Sequence, residues 1–119
     1  MNFAMVGGVL AFLAVALGAF GAHGLKSRIS KEMLSVYEKG VMYEMYHALA
    51  LIAVGILIHT GFSSQMLSIA GWLFILGTIL FSGSLYILSI TGKKILGAIT
   101  PFGGLCFLAG WVIFAVGIA

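Results

Sequence analysis

Charge is almost missing from this chain. Its nine formally charged side chains, six basic and three acidic, all fall within Lys26–Glu44 and Lys93–Lys94, and the remainder of the 119 residues carries none. A soluble domain is typically about a quarter charged; this chain is 8% charged and 62% hydrophobic, with a mean hydropathy of +1.21, which excludes water as its main solvent. Cysteine is limited to Cys106, so no intramolecular disulfide can form, and a single thiol in an apolar segment reads as packing. Strand-like alternation is absent, which argues against a transmembrane barrel. No P-loop, catalytic-serine motif, metal-binding cysteine pair or dinucleotide fingerprint occurs. The chain therefore reads as a non-enzyme, with no catalytic residue, metal or cofactor assigned. Its net charge of +3 fits anchoring at anionic lipid rather than nucleic-acid binding.

What the chain has instead is long apolar runs. About 20 mostly apolar residues cross the hydrocarbon core as a helix, and four segments qualify, at residues 2–23, 41–59, 67–91 and 95–118. They predict an all-α membrane protein: a single transmembrane domain over residues 1–119, with four helices in an antiparallel bundle. The first run reads as a retained helix and not a signal peptide, because Lys26, Arg28 and Lys31 follow it instead of preceding it. Basic residues occupy the first connection and, as Lys93 and Lys94, the third; the second, Thr60–Met66, has none. The positive-inside rule then puts the first and third connections in the cytoplasm and both chain ends outside. Lys26, Arg28, Lys31, Lys93 and Lys94 are the expected contacts to lipid phosphates.

Between the first two spans, Leu25, Ile29, Met33, Val36 and Val41 recur at intervals of three to five residues. This spacing predicts a short amphipathic interfacial helix over residues 25–40, capped by Ser30 and either broken at Gly40 or continuous with the second span. The second connection, with Gly61, Ser63 and Ser64, predicts a tight turn. Thr100 and Pro101 fit an N-cap and first helical position, or a kink in a helix that starts near Ile95.

Apolar burial gives helices little reason to associate in lipid, so close packing relies on small residues. They recur here at heptad spacing: Ala4, Ala11 and Gly18; Ala48 and Gly55; Ala70, Gly77 and Ser84; Gly103, Gly110 and Gly117. Polar groups gather toward the ends assigned to the cytoplasm, at His23, Glu44, His47, Ser82, Ser84, Tyr86 and Thr100. Ionisable groups at membrane depth usually pair inside the bundle. Glu44 and His47, three apart, share a helix face, with His23 within reach. His59 and the two tryptophans read as interfacial or packing residues.

Leu17-Gly18-Ala19-Phe20-Gly21-Ala22-His23, Tyr43-Glu44-x-x-His47, Leu80-Phe81-Ser82-Gly83-Ser84-Leu85-Tyr86 and Thr100-Pro101-x-Gly103-Gly104-x-x-Phe107-x-x-Gly110-Trp111 together resemble the bacterial family called domain of unknown function 423. That family is related to a small eukaryotic transmembrane protein of the mitochondrial membrane. The resemblance spans nearly the whole chain and implies a four-helix protein of the bacterial inner (plasma) membrane, with no established activity. The expected function is a non-enzymatic accessory or interaction subunit that meets membrane lipids and either a membrane-protein partner or further copies of itself. The alternatives are a small proton-coupled transporter and a haem- or quinone-binding membrane protein.

Overall fold

The computed structural model describes residues 2–62 and 65–119; Ser63 and Ser64 of the expected turn lie outside the described residues. Among the described residues four α-helices form: α1 (Phe3–Phe20), α2 (Lys31–His59), α3 (Gln65–Thr91) and α4 (Thr100–Ile118). Each is long and apolar enough to cross a membrane, the first and last together with the short helical segments adjoining them.

Local chemistry sets the ends. The Asn2 side chain accepts from the Met5 N–H, and the Ser30 hydroxyl accepts from the Met33 N–H, each at 3.1 Å, so both helix starts carry a side-chain cap. From Ser30 the chain does not stop at Gly40. The expected interfacial segment begins as a helix at Lys31 and continues unbroken to His59, so residues 31–40 are the first turns of α2. Gly40 survives inside the helix because the Tyr86 ring packs where its Cβ would stand, 2.8 Å from the nearest ring carbon. At the other end of the chain Thr100 is not an N-cap. A 3-10 segment, Lys94–Ala98, leads into α4, which begins at Thr100 with no side-chain cap and with Pro101 in its first turn.

α1 widens into a π-helical turn at Gly21–Leu25. The Tyr37 hydroxyl donates to the Leu17 carbonyl at 2.5 Å, and its ring fills the space beside Gly21. A side chain that takes a carbonyl of the helical ladder is a recognised cause of such distortions.

The helices pair in chain order, α1 on α2, α2 on α3 and α3 on α4, and among the described residues α1 and α4 share no packed seam. α2 and α3 are therefore the inner helices. The core lies between them, at Ala50, Leu51, Val54, Leu67, Ala70 and Phe74, closed by Phe3 from α1 and Phe107 from α4. The outer helices expose large apolar side chains such as Phe12, Val15, Leu108 and Val112, as lipid-facing helices do.

Small residues make close approaches. A Cβ on Gly55 would run into the Ala4 backbone, and one on Gly103 into the Phe81 backbone. Gly110 receives the Phe74 ring and Gly77 the Phe107 ring, while Gly18 meets Val41 in ordinary contact. On α1 the stripe of Ala4, Ala11 and Gly18 is only half-buried. The fully buried row is Gly7, Ala14 and Gly21, three residues further on, so the two rows together are the a and d positions of one seam. Gly117, near the end of α4, is half-buried.

Candidate functional site

The polar residues singled out from the sequence do not form one cluster. They separate into three groups at different helix contacts, and His23 joins none of them. It lies exposed in the π-helical turn, beyond the end of α1 proper, with no side-chain hydrogen bond among the described residues.

On the α2–α3 seam, Tyr86 donates its hydroxyl to Glu44 Oε1 at 2.7 Å. Ser82 donates to the Gly40 carbonyl at 2.7 Å, one turn away along α2. Tyr37 stands beside them, its ring centroid 5.3 Å from that of Tyr86. Glu44 is only 4% exposed, and its second carboxyl oxygen, Oε2, is the one buried side-chain polar atom without a partner among the described residues. Counting 1.5 Å per residue, Glu44 lies roughly 8 Å along α2 from Lys39 and roughly 22 Å from His59.

On the α2–α4 side, His47 Nδ1 lies 2.7 Å from the Tyr43 carbonyl, and Trp111 Nε1–H donates to His47 Nε2 at 3.0 Å. A carbonyl only accepts and an indole N–H only donates, so the imidazole carries its proton on Nδ1. The ring is also stacked on Phe107, with centroids 3.5 Å apart and planes 6° from parallel. Glu44 and His47, expected to share a face, thus turn to different neighbours.

The third group joins α3 to α4. Ser84 and Thr100 are hydrogen-bonded through their hydroxyls at 2.6 Å, and Ser84 also reaches the Phe81 carbonyl at 2.9 Å. Small hydroxyls in membrane helices commonly satisfy a local carbonyl or bridge to the next helix, and this one does both.

Beside His47 the surface between α2 and α4 opens into a groove of about 740 Å³. Tyr43, Tyr46, Phe81, Phe107 and Trp111 are among the side chains of its wall. Three partners carry no polar-site signal in the sequence: Tyr37 lies within the segment expected to be interfacial, Gly40 fits either a helix break or a continuation, and Trp111 reads as a belt or packing residue. Trp72 does pack at the surface, edge-on to Phe3 at 5.9 Å. His59 is exposed at the end of α2, and Lys26, Arg28, Lys31, Lys93 and Lys94 are all exposed. No group of three or more histidine, cysteine or acidic side chains suited to a metal ion occurs among the described residues.

Four apolar helices of membrane-spanning length, joined by buried polar pairs, define a small helical integral membrane protein. The chain belongs to the family described as "Protein of unknown function (DUF423)", which matches residues 17–104. Its relatives include the UPF0382 membrane protein YwdK of Bacillus subtilis, 50% identical over 114 residues that cover 96% of this chain and 93% of the relative. A UPF0382 membrane protein of Staphylococcus haemolyticus is 49% identical over 114 residues, covering 96% of this chain and 92% of its own. No solved structure matches the chain.

Proposed function

We propose that this protein is a non-enzymatic accessory or interaction subunit of the bacterial inner membrane, with its charged end in the cytoplasm and both termini outside. One observation carries the reading: Glu44, His47, Ser82 and Ser84, four buried polar side chains, bind the protein's own helices to one another. Ser82 is taken by Gly40, Ser84 by Thr100, Tyr86 by Glu44 and His47 by Trp111. Groups committed in this way hold a shape and are not free to act on a substrate. Beyond the helices the described chain has only short connections, so a protein partner must be met largely within the membrane. The exposed faces of α1 and α4 are the surfaces offered.

The test is site-directed photocrosslinking in native membranes. A photoreactive residue at Phe12 on α1 or Val112 on α4 should give a discrete adduct with one second membrane protein, and the same protein should copurify in mild detergent. Adducts with lipid or with further copies alone would count against a partner.

Glu44 favours a second reading, a small proton-coupled carrier. A buried carboxyl group with one hydrogen bond and one unpartnered oxygen is costly at membrane depth and marks a group able to exchange a proton. Reconstituted vesicles should then show a proton-dependent solute flux that Glu44→Gln abolishes; flux unchanged by that substitution would dismiss Glu44 as its carrier.

A further inference from the structure

Among the described residues α2 and α4 form no packed seam, and the groove opens between them, over α3. Membrane helices meet through small residues that let their backbones approach, as α1 and α2 do at Gly7 and Gly55. Here the wall is built from rings. Tyr43 lies over Phe81 with centroids 4.5 Å apart and planes 24° from parallel, and Phe107 lies parallel to His47 behind them.

Gly104 lines this groove. A Cβ there would meet nothing within 4 Å, so this glycine serves no close approach of backbones, in contrast to Gly103 beside it. What its missing side chain leaves is room in the groove, which it lines together with Leu105 and Leu108. Both leucines are exposed, so the groove opens toward the lipid. Its volume falls in the range of small-molecule sites, roughly 300–1,000 Å³.

The wall also carries donors. Tyr43 and Tyr46 line the groove, and neither hydroxyl takes part in a side-chain hydrogen bond among the described residues. A hydroxyl in an apolar medium favours an occupant that can accept from it. An acyl chain alone offers no acceptor, and a hydrocarbon ring offers none either.

The geometry points to a binding site for a membrane-dissolved planar ring that bears acceptor oxygens and an apolar tail, a ligand of the quinone class. The ring lies among Tyr43, Phe81, Phe107 and Trp111, its oxygens accept from Tyr43 and Tyr46, and the tail leaves past Leu105 and Leu108 into the lipid. This assignment concerns binding and stands independently of the interaction role proposed above.

Trp111 reports on the site directly, since quinones quench indole fluorescence on contact. Trp72, which packs against Phe3, is replaced by phenylalanine so that Trp111 is the sole indole, excited selectively over the tyrosines. The protein in detergent micelles is titrated with decylubiquinone, with decylbenzene as a ring-and-tail competitor without oxygens. Saturable quenching is expected, with decylbenzene a poor competitor. Gly104→Leu should remove saturation while leaving the helical circular dichroism unchanged, because its side chain enters open space. Tyr46→Phe, at a residue 51% exposed and so tolerant of change, should weaken binding roughly fivefold, the loss of one hydrogen bond, and it carries the test should Gly104→Leu fail to fold. Quenching that rises linearly without saturation, persists unchanged in folded Gly104→Leu, is unaffected by Tyr46→Phe, or is displaced equally well by decylbenzene overturns the assignment.

Discussion

Replacing Gly103 by alanine should separate two helices, whereas the same change at Gly104 should not. On Gly103 the added Cβ would fall within 2.8 Å of the Phe81 Cα and closer still to its backbone nitrogen. Backbone atoms of a packed helix cannot swing aside as a side-chain tip does, so α3 and α4 must move apart along their seam. Overpacking of this kind costs about 1–3 kcal/mol. One residue on, the Cβ of Gly104→Ala meets nothing within 4 Å, and alanine is favoured over glycine within a helix by up to about 1 kcal/mol. The two neighbouring substitutions should therefore differ in stability by roughly 2–4 kcal/mol, with opposite signs. Reversible unfolding in mixed micelles of dodecylmaltoside and dodecyl sulfate, followed by far-ultraviolet circular dichroism, measures both. Truncating Phe81 to alanine should not rescue Gly103→Ala, because the clashing nitrogen and Cα remain. Gly77→Ala is the contrasting case. Its Cβ would meet the Phe107 ring at 2.5 Å, a side chain, so Phe107→Leu should recover part of the loss. Equal effects at Gly103 and Gly104, or full rescue by Phe81→Ala, would refute the packing of α3 on α4 described above.

Three further outcomes are expected. Tyr86→Phe leaves the Glu44 carboxyl without its one hydrogen bond and should cost about 1–3 kcal/mol in the same assay; the double variant Glu44→Leu, Tyr86→Phe should cost less than Tyr86→Phe alone, because no buried polar group is then left unpaired. Nitrogen-15 spectra of histidine-labelled protein should assign the His47 proton to Nδ1, and a signal from Nε2–H would contradict the bond from Trp111. In a Cys106→Ala background, a cysteine at exposed Ser27 should be protected in intact cells from membrane-impermeant thiol reagents and react after permeabilisation; labelling from outside would reverse the orientation.

The helices were legible because the membrane leaves few options: long apolar runs must satisfy their own backbone groups, and the charges mark where they leave the lipid. Ser30 was equally plain, since a hydroxyl before a periodic segment has one obvious task at a helix start. The pairing of the polar side chains was much less legible. Glu44 and His47 are three residues apart, about 60° around a helix, which looks like a shared face when α2 is considered alone. With α3 packed on α2 and α4 packed on α3, that angle is enough to send Glu44 to Tyr86 on α3 and His47 toward Trp111, which reaches across from α4. Gly40 was ambiguous for a related reason, because whether a glycine ends a helix or admits a neighbour depends on the presence of a ring such as that of Tyr86. His23 resembled a cluster member by position along its span, but the widened turn at the end of α1 leaves it exposed.

The order in which the helices pair bears on how the protein is made. The glycine contacts that bring backbones together lie within two hairpins, α1 with α2 and α3 with α4. The hydrogen bonds from Ser82 to Gly40 and from Tyr86 to Glu44 join one hairpin to the other. Each hairpin can enter the bilayer as a unit, with its chain reversal short and its seam already matched, and the two can then dock laterally. Two polypeptides produced by dividing the gene after α2 should accordingly find each other in the membrane and rebuild the whole.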